Sequence, residues 1–212
     1  DDTRSVVLAG EGKAFCAGGD FSQMTGGSEE AALPPKGDYA DLLSVMTRAP
    51  KPIIARVHGH AMGGGLGLVA ASTFAIAAEG AKLGTPEINV GLFPMMIMAV
   101  LARIMPRRKL LEMMLFGERL SAHEACQAGI VNRVVESSAL DEAVDELCAR
   151  IAAKSPITVK LGLEAFADQA DLALDQALPM LRERLGACLA TEDAAEGLMA
   201  FMQKREPRWK GR

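Results

Sequence analysis

Three short segments carry the groups with chemistry in this chain: Phe15-Cys16-Ala17-Gly18-Gly19-Asp20, then Gly59-His60-Ala61-Met62-Gly63-Gly64-Gly65-Leu66-Gly67, then Thr85-Pro86-Glu87. Each glycine cluster sits where an apolar, strand-like run ends and a helix can begin; the runs are Ser5-Val6-Val7-Leu8-Ala9 and Ile53-Ile54-Ala55-Arg56-Val57. At such a junction backbone N–H groups point at open space, and glycine lets a ligand come close to the main chain. Two of these donors can grip one carbonyl oxygen, and donors preorganised on a developing oxyanion are worth about 2.7 to 4 kcal/mol each. One Gly-rich turn would merely connect a strand to a helix. Three segments in this order read as an oxyanion hole with a single acid/base, Glu87.

The residues after Glu87 sharpen that reading. Ile88, Val90, Leu92, Phe93, Met95, Met96 and Ile97 are expected to set the carboxyl beside an apolar wall. Desolvation there favours the protonated form and brings the pKa toward the working pH. For Met95 and Met96, lining the pocket and plain core packing fit the sequence equally well.

From Ser5 to Lys204-Arg205-Glu206-Pro207-Arg208-Trp209 the pattern resembles the crotonase superfamily, the enoyl-CoA hydratase/isomerase enzymes. The resemblance implies that the N–H groups of Gly19 and Gly64 hold the thioester oxygen of an acyl-CoA and stabilise its enolate, with Ala17, Gly18, Gly63, Gly67 and Met95 beside the substrate. Family hydratases use two glutamates. The proton-shuttling one corresponds to Glu87, whereas the one that helps activate water corresponds to Gly67, so that carboxylate is absent here. A single carboxylate suits a 1,3-proton transfer, as in the single-glutamate enoyl-CoA isomerases. Gly67→Glu is therefore expected to add hydration if the helix tolerates the bulk. A hydratase, an inert acyl-CoA-binding relative and another crotonase reaction remain the alternatives. No cofactor is expected beyond the coenzyme A of the substrate.

The elements that must position these groups alternate. Strands are expected at 5–9, 53–58, 74–78 and 131–135, and helices near 39–48, 64–72, 95–104 and 106–116, which gives parallel strands with helical crossovers. Ser121-Ala122-His123-Glu124 matches a capping box opening a short helix closed by Gly129, and Ser155-Pro156 opens another. The fold class is α/β: a crotonase-like spiral of ββα units over 1–137, and a helical region over 138–212 that the family uses for trimerisation. Apolar rows such as Leu174, Leu178, Leu181, Leu185 and Leu189 fit a homotrimer or a dimer of trimers. Family members carry a strand, helix and strand before the segment that begins here at Thr3, so the resemblance implies that the first unit is missing and a sheet edge is left unpaired. The usual Cys-Asp pair after the Gly-rich helix is Ser72-Thr73 here. The stretch from Thr25 to Asp38, rich in Gly, Pro and Glu, is expected to form a rim of the pocket.

Composition excludes several classes. The 212 residues are 50% hydrophobic and 24% charged, which is the globular range. A net charge of −4 and nine aromatic residues, with no basic run interleaved with aromatics, argue against nucleic acid as a partner. Basic residues cluster at Arg103, Arg107, Arg108 and Lys109, and from Lys204 to Arg212; solvated faces explain both, although Lys204 and its neighbours could meet the phosphates of coenzyme A. Cys16, Cys126, Cys148 and Cys188 lack metal or redox spacing, His58 and His60 have no ligand partner at zinc spacing, and neither glycine cluster is a nucleotide fingerprint. The chain opens on Asp1-Asp2-Thr3-Arg4 with no apolar leader, and Gly59–Ala78 is too broken by glycines to span a membrane. A cytoplasmic enzyme is expected.

Overall fold

A computed structural model of the chain describes residues 2–19 and 37–212. Asp20 and most of the expected rim, residues 25–36, lie outside the described residues. The chain divides into two units, one gathering residues 7–47 and 53–144 and the other residues 1–6, 48–52 and 145–212.

The first unit is built on two four-stranded sheets. One orders its strands β1 (Val6–Ala9), β3 (Ile53–Val57), β5 (Phe74–Ala78) and β8 (Arg133–Val135); the other orders β2 (Ala14–Cys16), β4 (His60–Met62), β6 (Lys82–Gly84) and β7 (Arg119–Ser121). The long strands read as near-continuous apolar runs because both of their faces are covered: Ile54, Ala55, Val57, Ala75, Ile76, Ala77 and Ala78 are all buried. β3 and β5 pair in parallel, Ile54 opposite Phe74, and β5 and β8 likewise, Ile76 opposite Arg133. The expected strand at 131–135 starts later because Asn132 takes a ladder position with its side chain: its Oδ1 accepts from Ala75 N at 2.8 Å. Thr73 has a similar duty at the entry to β5, its Oγ1 accepting from Ile53 N at 3.0 Å.

Helices α1 (Tyr39–Thr47), α2 (Gly64–Ala71), α3 (Met95–Leu101), α4 (Arg107–Phe116) and α5 (Ala122–Gln127) follow within or between the strands. α2 is apolar on every side and six of its eight residues are buried, as befits a helix enclosed by the fold. α3 ends earlier than its pattern suggests, since Arg103 N and Ile104 N bond back to Val100 O and Leu101 O in tighter turns. The capping box is present: Ser121 Oγ accepts from Glu124 N, and Glu124 Oε2 accepts from Ser121 N. Gly129 then closes the segment at a φ of 82°.

α6 (Leu140–Ala152) leads into the second unit, which holds α7 (Pro156–Gln169), α8 (Leu174–Leu189) and α9 (Glu192–Met202). Its polar centre is Asp193, 1% exposed, which accepts from Ser155 Oγ at 2.7 Å and from the backbone N–H groups of Lys210 and Gly211. That carboxylate ties the closing segment to the start of α7. Leu174, Leu178, Leu185, Leu189, Phe201 and Met202 are exposed, Phe201 by 83%. No helix among the described residues is long and apolar enough to cross a membrane.

Candidate active site

The second sheet explains how three segments far apart in sequence meet. β2 and β4 run parallel with Cys16 opposite Ala61, and β4 and β6 run parallel with Met62 opposite Gly84. The strands therefore release their chains side by side: Ala17-Gly18-Gly19 from β2, Gly63-Gly64 from β4, and Thr85-Pro86-Glu87 from β6. Carboxyl ends of parallel strands are where such folds receive ligands.

The middle segment makes the sharpest turn. Gly63 adopts φ 51° and ψ −121°, a conformation that side-chain-bearing residues avoid, while its N–H donates to Gly84 O at 2.9 Å. The chain then enters α2 at Gly64, whose N–H, as a first-turn donor, has no intrahelical acceptor. Gly63, Gly65 and Gly67 are buried and Gly64 is only partly so, which makes Gly64 the accessible glycine of the run. Gly65 is required by close approach: a Cβ there would lie 2.5 Å from Cys16 O. Gly18 has a φ of 107° with Met62 O next to it, and Ala17 and Gly19 are exposed.

Glu87 sits in a 3-10 turn, Pro86–Val90, which Gly91 closes in the left-handed region. Thr85, fully buried, anchors the start of that turn by donating Oγ1–H to Met113 O at 3.2 Å. The carboxyl reaches back over Gly63, where a Cβ would come within 2.8 Å of Glu87 Oε1. Its other oxygen, Oε2, is buried and has no hydrogen-bond partner among the described residues. Burial pushes the Glu87 carboxyl above the ordinary glutamate range, against the lowering effect of its own backbone N–H. A half-buried carboxyl with an unpaired oxygen and a raised pKa is equipped to accept a proton and return it.

The expected apolar wall is different in detail. Val90, Leu92, Met95 and Met96 are exposed, Met95 by 64%, and only Ile97 of that run is buried in the core. A helix presents one face inward, and on α3 that face carries Ile97, Val100 and Leu101. Met95 and Met96 are thus not core packing.

Sequence reasoning missed Tyr39. Its hydroxyl donates to Gly64 O at 2.5 Å, and the space beside Gly67 is filled by that hydroxyl and by Ile97, both far inside contact distance of any Cβ at position 67. The condition attached to Gly67→Glu, that the helix tolerate the bulk, therefore requires Tyr39 and Ile97 to move. Burial holds the Tyr39 hydroxyl above the usual phenol range, and the charges of Cys16 and Glu87 act the same way. Nothing in the spacing between residues 39 and 64 signals this contact; that Tyr39 is the chain's sole tyrosine was the available hint.

Lys204 belongs to the second unit, exposed and at a φ of 52°. Around it the basic cluster is largely ion-paired within the unit, Arg205 with Glu196 and both Lys210 and Arg212 with Glu192. His60 Nδ1 accepts from Lys82 N and His58 Nε2 meets Gly12 O, contacts that hold backbone in place.

The family model described as enoyl-CoA hydratase/isomerase matches residues 1–212. A probable enoyl-CoA hydratase of Bacillus subtilis is 38% identical over 213 residues, covering 98% of this chain and 82% of that protein. A carnitinyl-CoA dehydratase of Salmonella heidelberg is 33% identical, covering 98% of this chain and 81% of its own. The crystal structure of an enoyl-CoA hydratase from Mycobacterium smegmatis superposes with a TM-score of 0.90 at 35% identity, covering 99% of this chain and 82% of that one.

Proposed function

The chain belongs to the enoyl-CoA hydratase/isomerase family, and within it we propose that this protein converts 3-enoyl-CoA to 2-enoyl-CoA. It is an acyl-CoA enzyme of the hydratase/isomerase type. The observation that supports the isomerase reading is the pairing, among the described residues, of one carboxyl, Glu87 over Gly63, with a position 67 that has no side chain and whose space Tyr39 and Ile97 occupy. Ionised Glu87 takes a proton from the carbon next to the thioester carbonyl. The electron pair left behind spreads through the carbonyl and the adjacent double bond, and the charge on oxygen faces the N–H groups of Gly19 and Gly64. Glu87 then returns the proton to the far carbon, and no cofactor enters the balance.

The names of the relatives favour a second reading, hydration of 2-enoyl-CoA or its reverse. Both reactions use the same oxyanion hole and differ in whether water is activated. The test is a direct comparison of kcat/KM for 3-enoyl-CoA isomerisation and 2-enoyl-CoA hydration by the purified protein. Isomerisation is expected to be faster, and hydration at an equal or higher rate replaces this reading with the second.

Assembly and compartment are parts of the same proposal. The exposed Leu174, Leu178, Leu185 and Leu189 of α8 suit coverage by further copies in a homotrimer or dimer of trimers. Four free thiols suit a reducing compartment such as the cytoplasm.

A further inference from the structure

Tyr39 touches α2 at two places. Its hydroxyl donates to Gly64 O at 2.5 Å, and the same oxygen, with Ile97 Cγ2, occupies the space in which a Cβ at Gly67 would stand. A phenol has one proton to donate, so the bond to Gly64 commits it and leaves the oxygen as an acceptor alone. Gly64 is the residue whose N–H opens α2, and its carbonyl is thereby fixed from outside the helix.

We propose that Tyr39 is a positioning and specificity-determining residue, whose phenol takes the volume of a side chain at position 67 and braces the first turn of α2 through the Gly64 carbonyl. A phenol at 39 and a side chain at 67 exclude each other, so position 67 adds no second carboxylate, and Glu87 is the carboxyl that the described residues place at Gly63. This inference deepens the reading of Glu87 as sole acid/base and rests on it. The choice has an electrostatic consequence. A second carboxylate beside Glu87 would repel its charged form, whereas the half-buried Tyr39 phenol, its pKa raised by burial, stays neutral. The brace also holds the turn from which the Gly64 N–H is presented, and small misplacements of an oxyanion donor are costly in rate.

Two measurements test the geometry without depending on which reaction the enzyme performs. The first is a double-mutant cycle of Tyr39→Phe and Gly67→Ala read by thermal unfolding, in which the phenylalanine removes only the oxygen that crowds position 67. Gly67→Ala is expected to lower the midpoint by about 5 °C in the native background and by less than half of that in the Tyr39→Phe background, the Ile97 contact being common to both. Equal losses in the two backgrounds overturn the proposal. The second uses protein labelled with 13C at the tyrosine ζ carbon, which gives a single resonance because the chain has one tyrosine. Saturation with butyryl-CoA, unreactive in either reaction, is expected to shift that resonance; an unmoved resonance at saturation, with binding verified by calorimetry, overturns it. For the bracing role, Tyr39→Phe is expected to lower kcat about five- to tenfold with KM within twofold, and an unchanged kcat refutes the brace. Should hydration outrun isomerisation while the cycle is non-additive and the resonance moves, the reaction assignment fails and the role of Tyr39 stands.

Discussion

Glu87→Gln separates binding from chemistry. Glutamine keeps the shape of the carboxyl, and the structure indicates what the exchange removes. Among the described residues Oε2 has no hydrogen-bond partner to lose, and Oε1 lies over Gly63. Burial, which pushes the carboxyl pKa up, is a cost of carrying charge at that place, and the neutral amide is free of it. Acyl-CoA affinity, which the proposed reading assigns to the N–H donors of Gly19 and Gly64 and to the rest of the substrate, is expected to stay within about threefold, and the unfolding midpoint is expected not to fall. Rate is different. An amide cannot carry a proton between carbons, and the loss of a positioned acid/base costs about 10² to 10⁴ in kcat, or about 2.7 to 5.4 kcal/mol of transition-state stabilisation. Stopped-flow absorbance of the conjugated product gives kcat, and calorimetry with butyryl-CoA gives affinity. Retention of more than a tenth of the native kcat refutes Glu87 as the base, and a matching collapse of affinity shows that the carboxyl holds the substrate rather than its proton.

In the proposed reaction the carboxylate of Glu87 is the active form, so kcat/KM is expected to rise with pH through an apparent pKa above that of an ordinary glutamate, about 4.3, and an acid limb at or below that value contradicts it. The same shift has a stability consequence of known sign, since a carboxyl with a raised folded pKa contributes stability present below its unfolded pKa and lost as pH rises through the folded one; Glu87→Gln is expected to remove that part of the pH dependence in urea titrations. Gly63→Ala places a methyl group 2.8 Å from Glu87 Oε1 at a φ of 51°, and is expected to cost about 1–3 kcal/mol of stability together with more than tenfold in kcat, by urea unfolding and steady-state assay. Asp193→Ala removes the acceptor of Ser155, Lys210 and Gly211 and is expected to cost about 2–4 kcal/mol, read by urea unfolding. Leu178→Glu with Leu185→Glu is expected to dissociate the proposed homotrimer, with light scattering reporting the monomer mass; a monomeric native protein refutes that proposal.

How much of this was legible in the sequence depends on how local the cause was. The long strands and the helices near 39, 64, 95 and 106 announce themselves through apolar runs and periodicity, and the capping box at Ser121 through its spacing, because each is decided by neighbours in the chain. The glycine clusters were legible for the same reason, since close backbone approach leaves a residue type as its trace. β2, β4, β6 and β7 left none: three residues are too few for an alternation to show, and their pairing is fixed by the register of strands far apart in sequence. Yet that second sheet is what brings Gly18, Gly63 and Glu87 together.

Position 67 shows the limit most directly. From sequence, Gly67 is an absence, a missing carboxylate that a substitution would restore. In the fold it is a presence, since the volume is taken by the Tyr39 oxygen and Ile97. Tyr39 comes from a helix 28 positions earlier, and no periodicity or spacing rule couples the two residues. What couples them is packing: the interior leaves no void of methyl size, so a glycine enclosed by the core implies that something else fills the space. An enclosed glycine at a position where the resembled family pattern has a functional side chain is therefore a reason to look for the residue that fills its volume, here Tyr39 together with Ile97.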